Sequence, residues 1–214
     1  LAANIVTNET GLVAFTGTGL VDDSNTNGNT QTTAIAVTDG VTEPSITARE
    51  TFDLNSDGNI DAVRLTFDTN IDDSTMTAGA AGFTITGASS LAFSSNTNSD
   101  VADNNIIYIT FTDGDLTTDD PPTVPYDDAA GDVETTTGAS LLDDGPTAST
   151  DFAGPAIISA QTISSTEVEI TFSENIDDAT LAAGDFTFSG FATAGANALA
   201  AGYSSGTAND NVVT

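Results

Sequence analysis

The feature that most constrains the fold is an internal repeat. Residues 63–73 read VRLTFDTNIDD and residues 168–178 read VEITFSENIDD. Each copy continues with a Thr and an apolar residue (Thr75 and Met76; Thr180 and Leu181), an Ala/Gly-rich turn, and a short strand-like GFTITG or DFTFSG. A Ser/Asn/Gly loop then leads to a β-branched run, NNIIYITF in the first copy and DNVV in the second. Elements repeated in a fixed order imply modules strung or stacked along one chain. Within each copy the period is two. Val63, Leu65 and Phe67 alternate with Arg64 and Thr66, and Val168, Ile170 and Phe172 alternate with Glu169 and Thr171, so one face is apolar and the other wet. Short strands of this kind, spaced by Gly/Asn/Asp/Ser turns, predict an all-β protein of tandem β-sandwich modules. No amphipathic helix stands out; residues 72–80 have room for one helical turn capped by Asp72 or Asp73.

Turn chemistry sets the expected boundaries. Pro44 and Pro155 each follow a Gly/Asp-rich stretch and stand just before a new apolar strand. A complete module is therefore expected over 44–154. A second, over 155–214, lacks a counterpart of the packets around Val133 and Ala139 to Leu142 that end the first. Residues 1–43 carry apolar packets in excess, at Ile5 and Val6, Leu12 to Phe15, and Ala34 to Val37, and read as the end of a preceding module or as a donor segment. The opening LAANIV has no basic, apolar export signal, so an exported chain is expected to be a mature or trimmed form.

Charge and composition exclude several classes of function. The 214 residues carry a net charge of −30, with 32 acidic side chains against Arg49 and Arg64 and no lysine. Nucleic acid and anionic membrane surfaces need clustered cations, so neither is an expected partner. No run of about 18 apolar residues exists to insert into a bilayer. Without His, Cys or Lys, the common general bases, covalent nucleophiles and transition-metal ligands are missing, and the expectation is a protein that is not an enzyme. Paired-carboxylate glycoside hydrolysis is disfavoured by the absence of tryptophan and the presence of only three tyrosines. The natural partner of so many short-reach carboxylates is a hard divalent cation, although a solvated acidic surface has the same composition.

The sharpest candidate site is DLNSDGNID at 53–61. Asp53, Asn55, Asp57 and Asp61 fit D-x-N-x-D-G-x-x-D, in which alternate side chains turn toward one cage, Gly58 permits the bend, and the backbone carbonyl of Asn59 supplies a further oxygen. That set of oxygens points to calcium. An EF-hand would place its bidentate glutamate where this chain has Arg64, and the flanks read as strands, so the loop resembles the calcium-binding hairpin loops of integrin-type repeats. The bland alternative is a polar hairpin without metal. Lesser candidates are the recurring Asn70, Asp72, Asp73 and Asn175, Asp177, Asp178, which a capped turn explains nearly as well. Asp143, Asp144 and Asp151 lie before Pro155. Asp113, Asp115, Asp119, Asp120, Asp127, Asp128, Asp132 and Glu134 read as a solvated acidic loop. Asn8-Glu9-Thr10 is a lone glycosylation sequon.

The run ITFSENIDDATLAAGDFTFSG resembles the Ig-like repeats of bacterial and archaeal surface proteins, of S-layer and adhesin type, over 63–87 and 168–190. The resemblance implies an Ig-like sandwich and an extracellular, cell-surface, structural or adhesive role. The leading expectation is a subunit whose open second module is filled by strand addition from Ile5 to Phe15 of the next copy, giving a calcium-stabilised head-to-tail filament or layer. Two alternatives stand beside it. One is an excerpt of a long tandem S-layer protein or adhesin whose modules meet only their neighbours. The other is a calcium-dependent glycan-binding module, for which the aromatic rings are few.

Overall fold

The computed structural model describes residues 12–14, 33–36, 42–190 and 207–214. Its regular elements are short β-strands and single 3₁₀ turns, so the protein is all-β, and antiparallel pairing joins every strand pair. In chain order the strands are β1 (Leu12–Val13), β2 (Ile35–Ala36), β3 (Ile46–Phe52), β4 (Asn59–Ile60), β5 (Ala62–Phe67), β6 (Ala92–Phe93), β7 (Ile106–Thr110), β8 (Leu116–Thr117), β9 (Ile157–Thr162), β10 (Val168–Phe172) and β11 (Val212–Val213). Among the described residues no helix is long and apolar enough to cross a membrane.

The first copy of the repeat forms a four-stranded sheet in the order β3-β5-β7-β6. β5 is central, and the alternation read from its sequence is realised: Val63, Leu65 and Phe67 are buried while Arg64 and Thr66 are not. Its apolar face packs with Ile107 and Ile109 of β7 against Phe83, Ile85, Val124, Tyr126 and Leu141, which form one core. These last residues come from a second, irregular layer. Phe83 bridges Tyr126, Tyr126 bridges Asp144, and Thr123 bridges Ala148, all antiparallel. Pro122, Pro125 and Pro146 lie within these bridged segments. Each removes a backbone donor, which breaks a ladder into isolated bridges.

Arg49 of β3 ties the two layers together. Its Nε donates to the Val124 carbonyl (3.1 Å) and its guanidinium pairs with Asp144. The other arginine, Arg64, pairs with Glu50 and lies over the rings of Phe52 and Phe152. Both cations of the chain are thus engaged within it.

The second copy builds the same frame from β11-β10-β9. Leu65 faces Ile107 and Ile170 faces Val213. The side-chain amide of Asn105 donates to the Phe67 carbonyl (3.1 Å), and that of Asn211 donates to the Phe172 carbonyl (3.2 Å). Even the entry latch recurs with changed chemistry. The Ser45 N–H donates to Asp68 (2.9 Å), whereas the Ala156 N–H donates to Ser173 Oγ (3.0 Å). The described core of this copy is small: Ile170, Phe172, Ile176 and Val213.

In the N-terminal region β1 pairs with β2 within the chain, and Leu12, Val13 and Ile35 are exposed. Ile5 to Gly11, Phe15, Val37 and the sequon at Asn8 lie outside the described residues. The helical turn expected within 72–80 is a 3₁₀ turn, Asp73–Thr75, capped by Asp72. Its twin, Asp178–Thr180, is capped by Asp177.

Candidate functional site

The 53–61 loop fills the hairpin between β3 and β5. The second copy closes the corresponding hairpin with a short turn in which the Ile163 N–H donates to the Glu167 carbonyl (3.1 Å). The longer loop folds around its own side chains. Asp53 accepts from the N–H groups of Ser56 (2.6 Å), Asp57 (3.3 Å) and Gly58 (2.8 Å). Asn55 Oδ1 accepts from the Asp57 N–H (3.0 Å), Asp57 Oδ1 accepts from the Asn59 N–H (3.0 Å), and Asp61 Oδ1 accepts from the Leu54 N–H (2.9 Å). Short Asx side chains at alternate positions reach back to backbone donors in this way wherever the chain turns tightly.

All five residues singled out in the sequence therefore lie in one small loop, and a sixth joins them. β4 pairs with β8, with Asn59 opposite Thr117. That pairing brings the preceding turn alongside, and the Asn55 amide donates to both Asp57 (3.1 Å) and Asp113 (3.2 Å). The Asn59 side-chain amide turns to Asp57 Oδ1 (3.0 Å). By sequence position Asp113 belongs to the acidic loop, and only the non-local β4–β8 contact brings it here.

The electrostatics of the loop are those of crowded carboxylates. Burial pushes the Asp61 carboxyl above its ordinary value, and the charges of Asp53, Asp113 and Asp57 push it further, against the Leu54 hydrogen bond. Desolvation also pushes Asp57 up, but hydrogen bonds from Asn59 and Asn55 outweigh it and leave that carboxyl below its ordinary value. A hard cation that drew these oxygens together would relieve the repulsion on Asp61, and an oxygen-only set suits calcium.

The carboxylates of the loop do not draw together into a close trio. Oxygens that all lie within 4.8 Å of one another are found instead on Asp127, Asp128 and Asp143, which are exposed. The Tyr126–Asp144 bridge brings these three together, and Asp143 Oδ1 accepts from the Asp128 N–H (2.9 Å). Desolvation pushes the Asp128 carboxyl up, and Asp143 and Asp127 add to it. The sequence divides this trio between an acidic loop and the stretch before Pro155, because its pairing is long-range.

The remaining candidates hold local structure. Asp151 accepts from Thr51 Oγ1 (3.1 Å) and the Ala153 N–H (3.0 Å), and Asp144 pairs with Arg49. Asp115 accepts from the Ser89 N–H (2.7 Å), and Asp120 accepts from Thr117 Oγ1 (2.9 Å). Asp72 and Asp177 are caps. Asp73 and Asp178 are buried.

One further arrangement was invisible in the sequence. The loop touches the second copy: a Cβ placed on Gly58 would lie 2.8 Å from Ile158 Cγ2 and 2.8 Å from Ser173 Cβ. A cleft runs between Asp53 and Ser56 on one side and Gly154, Pro155, Ala156 and Ile157 on the other. The candidate cation loop is therefore also a contact between the two copies of the repeat.

Comparison of the chain with protein-family models, with curated proteins and with solved structures finds no match.

Proposed function

We propose that the chain is an extracellular, non-enzymatic structural subunit of tandem Ig-like β-sandwich modules, loaded with calcium at the 53–61 loop and joined head to tail by strand addition into a filament or surface layer. The observation that carries this reading is the contrast between β3 and β9. The outer edge of β3 is covered: the Thr51 N–H donates to the Thr150 carbonyl (3.0 Å), and the Thr150 N–H donates to the Arg49 carbonyl (2.8 Å). Every residue of β9 is exposed, with Ile157 at 55% and Ile158 at 54%. Among the described residues, its outer edge has no strand partner.

An apolar, unpaired edge is a template for another strand. The segment proposed to fill it is residues 1–43 of the next copy, where β1 offers Leu12 and Val13 to solvent. A head-to-tail contact between identical copies propagates into a filament wherever its rotation does not close a ring. Calcium would offset the repulsion between subunits that each carry −30.

Electron microscopy of the purified chain tests the reading. Filaments or sheets are expected in calcium, dissolving in chelator and absent when residues 1–43 are deleted; dispersed monomers under both conditions would sink it. The pairing of β1 with β2 inside the chain favours a second reading, in which residues 1–43 close a neighbouring module of a long tandem array and no strand is exchanged. On that reading neither the chain nor its deletion variant polymerises.

A further inference from the structure

The closing NIDD of each repeat sets two aspartates side by side and gives them different tasks. The first is a cap: Asp72 Oδ1 accepts from the Ser74 N–H (2.9 Å), and Asp177 Oδ1 accepts from the Ala179 N–H (3.1 Å). The second turns inward. Asp73 is 7% exposed and Asp178 is 5% exposed. Neither carboxylate oxygen of Asp73, nor Oδ1 of Asp178, has a hydrogen-bond partner.

The surroundings of Asp73 are acidic. The Asp73 N–H donates to Asp103 Oδ1 (3.1 Å), so a second carboxylate is held against the same turn. The charges of Asp103, Asp100 and Asp72 all bear on this buried carboxylate. In the second copy Asn209 stands in for Asp103. Its Oδ1 accepts from the Asp178 N–H (3.2 Å), and its own N–H donates to Asp178 Oδ2 (3.0 Å). No arginine serves either corner, since Arg49 and Arg64 are paired with Asp144 and Glu50.

A carboxylate buried like Asp73 can only accept, and no donor reaches either of its oxygens. Burying such a group costs free energy unless something pairs with it. The same position is buried and left with an unpartnered oxygen in both copies, although the residue facing it changes from Asp103 to Asn209.

We propose that this corner is a divalent-cation site built once into each copy of the repeat, with Asp73 and Asp178 as ligands and the side-chain oxygens of Asp103 and Asn209 beside them. Oxygen ligands suit a hard divalent cation, and calcium is the one tested. These sites are distinct from the 53–61 loop, which has no counterpart in the second copy. Their task is to staple the 3₁₀ turn to the segment entering β7 or β11. Because Asp103 carries a charge and Asn209 does not, the first corner binds more tightly than the second.

The test uses the full chain, calcium chloride and a chelator. Bound ions are counted by native mass spectrometry, and melting is followed in both conditions. Asp73→Asn and Asp178→Asn are each expected to remove one ion. Asp73→Asn should also melt above the parent in chelator, where a buried charge has been removed, and below it in calcium, where a ligand has been lost. Asp103→Asn, at an exposed position, should weaken the tighter corner by roughly tenfold. An unchanged ion count, or variants that melt above the parent in both conditions, would overturn the proposal. Asp61→Asn separates this proposal from the loop reading. If it leaves the count unchanged while Asp73→Asn lowers it, the loop reading fails and the corner stands.

Discussion

Gly58 shows how much rests on one residue. Its φ of +96° lies in a region that L side chains rarely adopt, and a Cβ would collide with both Ile158 and Ser173 of the second copy. Gly58→Ala is therefore expected to destabilise the chain by roughly 1–3 kcal/mol. It should also push the loop off the β9–β10 corner, seen as a lower melting temperature and faster proteolysis between residues 150 and 158. A rise in melting temperature, the usual result of Gly→Ala where the backbone permits it, would contradict the contact. Half of this was legible in the sequence: the D-x-N-x-D-G pattern marks Gly58 as a bend. Its other neighbours were not, because nothing local to residue 58 announces Ile158 or Ser173. The same divide runs through the candidate oxygen ligands. Asp53, Asn55, Asp57 and Asp61 declared themselves by spacing, whereas Asp113 and the Asp127–Asp143 pairing depend on strand contacts far apart in the chain.

At the scale of elements, the period-two alternation located β5 and β10 because each has one buried and one wet face. It failed for the second layer of the first copy. The run PPTVPY buries Val124 and Tyr126, but its prolines interrupt both the apolar pattern and the ladder. These segments nevertheless decide how well each copy is filled. Leu65 is fully buried in a core that both layers supply, while Ile170 belongs to a described cluster of four residues. Leu65→Ala should cost toward the upper end of the about 2–5 kcal/mol typical of such truncations, and Ile170→Ala toward the lower end. Urea denaturation of the two variants measures the difference. Equal losses would mean that segments outside the described residues fill the second copy as completely as the first.

For the whole molecule, charge sets the behaviour, and Glu174 is where it becomes measurable. This glutamate stands in the corner after β10, with Oε1 buried and unpartnered. Burial raises its carboxyl above the ordinary value, and Asp151 and Asp119, from two other parts of the chain, raise it further. A carboxyl with a raised folded-state pKa binds its proton more tightly in the folded chain. Its stabilising contribution is complete below the unfolded value, about 4.3, and is lost as pH rises through the folded one. Asp68 acts in the opposite sense. Ser45, through its N–H and then its hydroxyl, holds that carboxyl below its ordinary value, so its contribution is present at neutral pH and is lost only as pH falls through the lowered value. In chelator, stability should therefore climb as pH falls from 7 toward the ordinary carboxylate range, then drop once groups such as Asp68 take up protons. Glu174→Gln isolates the first limb. It should melt above the parent at pH 7, and the gap should close as acid protonates the parent's Glu174. A gap that stays constant across that range would show that Glu174 is already protonated at neutral pH or is paired in solution, and that the acid-side rise belongs to the diffuse repulsion of the −30 charge alone.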